Sequence, residues 1–155
     1  SSAGDVDGDG LDDLLVGAPL NDQAGDNAGR AYLIMGSSVG VIGMNLSKAD
    51  AAFTGTYLDS QAGGSLSGIG DINGDSYDDV VVGSVPPYPT SLSTSSMSYV
   101  LMGSSSGIPS MSLSMADIKL IGAGRLMTHG DVNGDNDSDL IVTGDGIHLL
   151  YGLLK

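Results

Sequence analysis

Short apolar runs recur along the chain, each flanked by polar segments that contain glycine. Such runs are typical of strands that are buried on both faces of a sheet. The first set occupies residues 14–16, 80–82 and 140–142. A second set follows at residues 31–35, 98–102 and 147–151. The pattern therefore predicts a repeated β structure.

Two further strand candidates complete each unit, and we name the four strands A to D in chain order. Candidates for strand A precede the later acidic segments at 65–69 and 125–129, and candidates for strand D end at Gly55 and Gly122. With 25 Gly and no Glu, the composition disfavours helices and favours short strands with tight turns. Repeated units of four antiparallel strands predict an all-β fold built from β-propeller blades, which must stack to bury their faces.

We expect one domain over residues 1–155, with repeat units at about 1–55, 56–122 and 123–155. The outer strands of the first and last units are short or missing in the sequence. The array is therefore expected to be incomplete, with about two and a half to three blades, whereas closed propellers have about four to eight. Either the chain is part of a longer protein, or several copies complete the blades through open strand edges.

Three acidic segments share the pattern Asp-x-(Asp/Asn)-Gly-Asp-x-x-x-Asp, at residues 5–13, 71–79 and 131–139. Each lies between strands A and B of its unit. Negative charge crowded into a short loop is unfavourable unless a cation lies among the carboxylates. Alternating oxygen ligands suit calcium, which takes six to eight oxygens in flexible geometry.

Two other interpretations of these segments deserve comparison. An EF-hand needs Gly at position 6 and a bidentate Glu at position 12. Position 12 here is Val16, Val82 or Val142, so an EF-hand is excluded. Solvated Asp-Gly turns without metal are the remaining alternative, and three copies in one repeat register favour the metal sites.

Charge and composition limit the other classes of function. The net charge is −14 at pH 7, and all 19 acidic residues are Asp, most of them in the three acidic segments. Five Lys and Arg residues cannot form a phosphate-binding surface, so no nucleic-acid partner is expected. The absence of Cys excludes a thiolate metal site. No apolar run approaches the ~18 residues of a membrane helix, so no transmembrane segment is expected.

Catalytic motifs are weak. Gly36-Ser-Ser-Val-Gly40 and Gly103-Ser-Ser-Ser-Gly107 match G-x-S-x-G, the nucleophile elbow of hydrolases. Both follow strand C, and no helix pattern follows either of them, so we interpret them as turns. His129 and His148 do not recur in the other units. We therefore expect a non-enzymatic segment with no catalytic residues.

The acidic segments and their flanking residues resemble the FG-GAP repeat of integrin α-subunits and of many bacterial secreted proteins. The first unit carries the resemblance most closely, from Gly4-Asp5 through Gly17-Ala18-Pro19, and the second has Gly83-Ser-Val-Pro86 after strand B. The resemblance implies a β-propeller with calcium at three sites in the A–B loops. The implied side-chain ligands are Asp5, Asp7, Asp9, Asp13, Asp71, Asn73, Asp75, Asp79, Asp131, Asn133, Asp135 and Asp139. The implied backbone carbonyl ligands are Leu11, Tyr77 and Asp137.

The function implied by the resemblance is extracellular or cell-surface adhesion or recognition of a protein or glycan ligand. Two alternatives stay open: an accessory segment of a secreted hydrolase or lyase, and a self-assembling structural unit that pairs through open blade edges. In an antiparallel blade the acidic loops lie at one end, and the loops near 18–28, 56–63 and 84–97 lie at the other. Tyr57 and Tyr88 in these loops are candidates for partner contacts, because aromatic residues are favoured interface anchors.

Overall fold

The computed structural model describes residues 1–40, 43, 45–84, 96–134, 138–144 and 147–150. For residues 123–129, 141–144 and 147–150, only the backbone is described. The strands in chain order are β1 (Ser2–Gly4), β2 (Asp13–Ala18), β3 (Arg30–Ile34), β4 (Ala51–Thr54), β5 (Ala62–Gly70), β6 (Asp79–Ser84), β7 (Met97–Leu101), β8 (Met111–Ser112), β9 (Ile118–Ile121), β10 (Ala123–Gly130), β11 (Asp139–Gly144) and β12 (Ile147–Leu150).

These strands form three sheets that follow one another along the chain. Sheet 1 has the order β1-β2-β3-β4-β8, sheet 2 the order β5-β6-β7-β9, and sheet 3 the order β10-β11-β12. All neighbours are antiparallel except β4 and β8. The predicted all-β fold is confirmed: sheets 1 and 2 each contain four antiparallel strands, and the described part of sheet 3 contains three. The number of blades and the unit boundaries stay predictions.

Strand β8 forms a pairing that the repeat pattern did not predict. It lies in the connection between β7 and β9 of sheet 2, yet it pairs in parallel with β4 of sheet 1, opposite Phe53. The hydroxyl of Ser110 also accepts a hydrogen bond of 3.0 Å from the backbone N–H of Ala52. Ile108 and Leu113 of the same connection are buried with the core of sheet 1. This connection therefore links two successive units.

A short 3-10 helix precedes the last strand of units 1 and 2, at Leu46–Lys48 and Leu113–Met115. In each case the following Asp turns back to the end of the third strand. Oδ2 of Asp50 accepts from the backbone N–H of Met35 at 2.8 Å. Oδ2 of Asp117 accepts from the N–H of Met102 at 3.0 Å. The recurrence of these two aspartates is thus explained by a repeated turn.

The main core lies between sheets 1 and 2, where apolar side chains of alternate strand positions meet. Sheet 1 contributes Leu15, Leu33 and Phe53. Sheet 2 contributes Val80, Val82, Tyr99 and Leu101. A second core on the opposite face of sheet 2 contains Ile69, Ile72, Val81, Val100 and Leu140. Sheet 2 therefore lies between sheets 1 and 3.

This layering corrects one expectation about the apolar runs. All residues of β6 are buried, as expected for a strand covered on both faces. In β2 the expectation is wrong, because Leu14 is 46% exposed while its neighbour Leu15 is buried. The reason is that the described residues cover only the sheet 2 side of sheet 1, so β2 alternates between a buried and a solvent-facing side.

Glycine allows the backbones of sheets 1 and 2 to approach closely. A Cβ atom at Gly17 of β2 would collide with the carbonyl oxygen of Gly63 in β5. A Cβ at Gly68 would lie 2.8 Å from the carbonyl oxygen of Ala3. Glycine at these positions is therefore a packing requirement. No helix among the described residues has the length and apolar character needed to span a membrane.

Candidate metal centre

The acidic segments form three equivalent hairpin loops at one end of the sheets. Loop 1 (residues 5–13) leads from β1 into β2, loop 2 (71–79) leads from β5 into β6, and loop 3 (131–139) leads from β10 into β11. In each loop the ninth residue is already the first residue of the second strand. The loops therefore lie between strands A and B, as the sequence predicted.

Loop 1 folds around the carboxylate of Asp5, its first residue. Oδ1 of Asp5 accepts hydrogen bonds from the backbone N–H groups of Gly8 at 2.7 Å and Asp9 at 3.0 Å. Oδ2 accepts from the N–H of Gly10 at 2.9 Å. Gly8 has a φ of +75°, a conformation that L side chains rarely adopt and that turns the chain back sharply. The backbone thus holds the first carboxylate in a fixed orientation.

Three carboxylates of loop 1 converge. One oxygen from each of Asp5, Asp7 and Asp13 lies within 4.8 Å of the others. Asp9 lies outside this trio, and its Oδ1 instead accepts from the N–H of Leu11 at 2.8 Å. Oxygen atoms gathered in this way are the ligands that hard divalent cations take.

The ninth residue of loop 1, Asp13, accepts hydrogen bonds from different backbone groups than Asp5 does. Oδ2 of Asp13 accepts from the N–H of Val6 at 2.9 Å, and Oδ1 accepts from the N–H of Gly36 at 2.7 Å. Burial raises the pKa of Asp13, the two backbone donors lower it, and the charges of Asp7 and Asp5 raise it further. A buried carboxylate beside two others is electrostatically unfavourable without a cation.

Loop 2 repeats the hydrogen bonds between backbone N–H groups and the first carboxylate that were described for loop 1. Oδ1 of Asp71 accepts from the N–H of Gly74 at 2.7 Å and of Asp75 at 3.1 Å, and its Oδ2 accepts from Ser76 at 2.7 Å. The amide of Asn73 stands at the third position, where loop 1 has a carboxylate, and its Nδ2 donates to Oδ2 of Asp75 at 3.0 Å. The N–H of Tyr77 donates to Oδ1 of Asp75 at 3.0 Å.

Asp79 closes loop 2 and is fully buried. Its Oδ2 accepts from the N–H of Ile72 at 3.0 Å, and its Oδ1 accepts from the N–H of Gly103 at 2.8 Å. Burial raises the pKa of Asp79 to about 6, against the lowering effect of these two donors, and the charges of Asp75 and Asp71 add to the rise.

Loop 3 shows the same features as far as it is described. Oδ1 of Asp131 accepts from the N–H of Gly134 at 2.6 Å, and Oδ2 of Asp139 accepts from the N–H of Val132 at 2.8 Å. Nδ2 of Asn133 lies 3.5 Å from Oδ1 of Asp139. Two predicted ligands lie outside the described residues: Asp135 and Asp137.

The two G-x-S-x-G matches lie in equivalent turns after β3 and β7. The N–H of Gly40 donates to the carbonyl of Ser37 at 2.8 Å, and the N–H of Gly107 donates to that of Ser104 at 2.7 Å. This confirms the interpretation of both motifs as turns, which rested on their equivalent positions in the repeat.

At the opposite end of the sheets, Tyr57 is 56% exposed, and Tyr88 lies outside the described residues. The loop of Tyr57 contacts the β2–β3 loop, where Nδ2 of Asn27 donates to Oδ1 of Asp59 at 2.8 Å. Asn27, Asp59 and Gln61 all have positive φ values although none is glycine. Sequence reasoning placed both loops at this end but missed the hydrogen bond between them and the positive φ values. The local signal was that Asn and Asp adopt such conformations more often than other non-glycine residues.

Comparison with known proteins agrees with this geometry. The family described as FG-GAP repeat matches residues 1–34, which include loop 1 and strands β1 to β3. Residues 1–34 are an FG-GAP repeat. The match confirms the resemblance drawn from the acidic segments. The antiparallel strands of the sheets are those of β-propeller blades.

Large proteins of two kinds are among those to which this chain is similar. Phosphatidylinositol-glycan-specific phospholipase D of Homo sapiens is 31% identical over 148 residues, which cover 91% of this chain and 18% of the relative. Integrin alpha-PS5 of Drosophila melanogaster is 31% identical over 163 residues, covering 96% of this chain and 15% of the relative. Integrin alpha-8 of Gallus gallus is 36% identical over 84 residues, covering 51% and 8%. The chain thus spans less than a fifth of the length of these relatives.

Proposed function

We propose that this chain is a calcium-stabilised, non-enzymatic FG-GAP segment of a β-propeller, serving adhesion or recognition outside the cell or at its surface. The observation that carries the calcium part is the convergence of Asp5, Asp7 and Asp13, whose ligand oxygens lie within 4.8 Å of one another. Similarity to integrin alpha chains supports adhesion or recognition.

The residues of loop 1 fit a calcium ion by the chemistry of their donors. All are oxygen donors, and the sharp turn at Gly8 wraps the backbone around the space between the carboxylates. Asp5, Asp7 and Asp13 would hold the ion, and Asp9 and the carbonyl of Leu11 would complete its shell. Loops 2 and 3 would bind in the same way with an amide oxygen at the third position, from Asn73 and Asn133.

Calcium would act by stabilising the fold. At ~1 mM calcium and an affinity of ~0.1 mM, each site would add about 1.4 kcal/mol to the free energy of unfolding. Three sites would add roughly 4 kcal/mol, a large share of the stability of a domain. The ion would neutralise carboxylates that otherwise repel one another, and the hairpins would keep their shape.

Isothermal titration of the metal-free chain with calcium tests this proposal. We expect saturable binding, and a melting temperature that falls when EDTA is added. Asp7→Ala should weaken binding at loop 1, because it removes one ligand of the trio. Asp12→Ala is the matched control, since it removes the same charge from an exposed residue of the same loop. No heat of binding together with an unchanged melt in EDTA would refute the calcium part.

A second function is favoured by one of the comparisons. The phospholipase D relative is similar over 91% of the chain, so an accessory segment of a secreted hydrolase or lyase is the alternative. The full open reading frame that contains this segment distinguishes the two. A catalytic domain in the same frame would favour the accessory role, and a long extracellular region with a membrane anchor would favour adhesion.

The partner surface is proposed at the end opposite the acidic loops. Tyr57 is exposed there and lies in one of two loops at that end that hold non-glycine residues at positive φ. Backbone strain of this kind is often found at functional sites. Once a ligand is known, Tyr57→Ala should weaken its binding without changing calcium binding, and equal binding by the variant would remove Tyr57 from the surface.

A further inference from the structure

Loops 1 and 2 are joined by a reciprocal pair of hydrogen bonds between Asp78 and Asp5. Oδ2 of Asp78 accepts from the backbone N–H of Asp5 at 2.9 Å. The backbone N–H of Asp78 donates to the carbonyl of Asp5 at 3.0 Å. Both backbone polar groups of Asp5 are therefore fixed by one residue of the next unit.

The surroundings of this pair leave little freedom. Gly4, with a φ of +77°, has no Cβ, and a Cβ there would collide with the Asp78 carboxylate. The Cε1 atom of Tyr77 lies 2.9 Å from the position that a Cβ at Gly8 would occupy. Residues 77 and 78 of loop 2 thus contact both ends of the turn that orients the Asp5 side chain.

The same relationship recurs between loops 2 and 3 in a reduced form. The N–H of Ser138, at position 8 of loop 3, donates to the carbonyl of Asp71 at 3.3 Å. The backbone hydrogen bond from position 8 of one loop to position 1 of the preceding loop therefore occurs in both pairs. The side-chain carboxylate that accepts from the N–H of position 1 is present at Asp78 and absent at Ser138. Asp12, at position 8 of loop 1, is exposed.

We infer that Asp78 is a positioning residue for the metal site of loop 1, although it belongs to loop 2. This inference rests on the proposed calcium function. Asp5 supplies a carboxylate to the trio, and its orientation depends on where its backbone lies. By holding the N–H and carbonyl of Asp5, Asp78 fixes that backbone before an ion binds, which lowers the ordering cost of binding. The side chain of Asp78 itself is not proposed as a ligand.

Two variants with the same loss of charge test the inference. Both are made in the full chain carrying Asp75→Ala and Asp135→Ala, which weaken loops 2 and 3, so that calcium titration reports loop 1. Asp78→Asn keeps a side-chain oxygen that accepts from Asp5, and Asp78→Ala does not. We expect Asp78→Ala to weaken loop 1 affinity about tenfold, since it removes a charge-assisted hydrogen bond, and Asp78→Asn to restore most of it.

Several outcomes decide between the explanations. Equal affinity in Asp78→Ala and Asp78→Asn would mean that the side-chain acceptor for the N–H of Asp5 makes no difference, and would overturn the inference. A lower melting temperature in EDTA with unchanged calcium affinity would show a merely structural contact, and would overturn it too. If the alanine variant does not fold, Asp78→Ser, which imitates Ser138, takes its place with the same expectation. No binding by the parent chain would instead refute the proposed function, and the inference with it.

Discussion

Oδ1 of Asp79 accepts a hydrogen bond of 2.8 Å from the backbone N–H of Gly103, two residues after the end of β7. Asp13 makes the equivalent bond of 2.7 Å to Gly36 after β3. In loops 1 and 2 the ninth residue therefore connects its own hairpin to the segment that follows the third strand of the same sheet. This contact gives the carboxylate a structural role in addition to the proposed binding of an ion.

The burial of Asp79 predicts a pH dependence of the metal-free chain. Burial raises the pKa of Asp79 in the folded state to about 6 from its ordinary value of 3.8, so folding favours the protonated form. The stability that this preference contributes is complete below pH 4 and is lost as the pH rises through about 6. In metal-free buffer we therefore expect the urea concentration at the unfolding midpoint to decrease as the pH rises from 4 to 7.

Asp79→Asn is the control for this pH dependence, because the amide cannot ionise and still offers an oxygen to Gly103. The variant should show a flatter pH profile than the wild type in metal-free buffer. Asp13, whose pKa burial also raises, retains part of the dependence. A wild-type midpoint that rises over the same pH range would contradict the prediction.

The repeated turn predicts a second effect on stability. Asp50→Ala and Asp117→Ala each remove the acceptor for a backbone N–H, that of Met35 or Met102. We expect each change to lower the free energy of unfolding by about 1 kcal/mol, the value of a typical hydrogen bond. Asp117→Asn keeps an acceptor and should lose less than half as much in the same urea titration. Equal losses in the alanine and asparagine variants would show that charge, and not the bond, is responsible.

The sequence predicted the strands and the position of the acidic loops, because both depend on local periodicity. Loop 1 illustrates this: an apolar run follows Asp13, and β2 begins at Asp13 itself. The contact between Asp78 and Asp5 joins residues 73 positions apart. Nothing in the local pattern distinguishes Asp78 from Asp12, since only the packing of two units brings position 8 against its neighbour.

Strand β8 was missed for a related reason. Its two residues, Met111 and Ser112, have no alternating pattern, and its parallel pairing with β4 arises only when sheet 2 packs against sheet 1. The exposure of Leu14 could not be predicted either, because the apolar run of β2 does not show whether one face or both faces of its sheet are covered by other sheets. Local chemistry therefore predicted the elements, and packing between units decided their environment.

The close approach of sheets 1 and 2 predicts strong sensitivity to a methyl group at Gly17. Gly17→Ala places a Cβ against the carbonyl oxygen of Gly63, a backbone atom that cannot move aside by rotating a side chain. We expect a loss of about 1–3 kcal/mol in the free energy of unfolding, the cost of overpacking. Gly130→Ala in β10 is the control, since a Cβ there would meet no atom of the described residues within 4 Å. Equal effects of the two changes would contradict the close packing.

Two adjacent leucines of β2 test the layering of the sheets most directly. Leu15 is buried in the core shared with sheet 2, whereas Leu14 is 46% exposed on the other face. Leu15→Ala should cost about 2–5 kcal/mol, because it removes buried methyl groups and leaves a cavity. Leu14→Ala should cost less than about 1 kcal/mol, because its side chain is already partly hydrated. Urea titrations with calcium present measure both values on the same backbone. A cost for Leu14→Ala as large as that for Leu15→Ala would mean that the outer face of sheet 1 is covered in solution, and would contradict the layering.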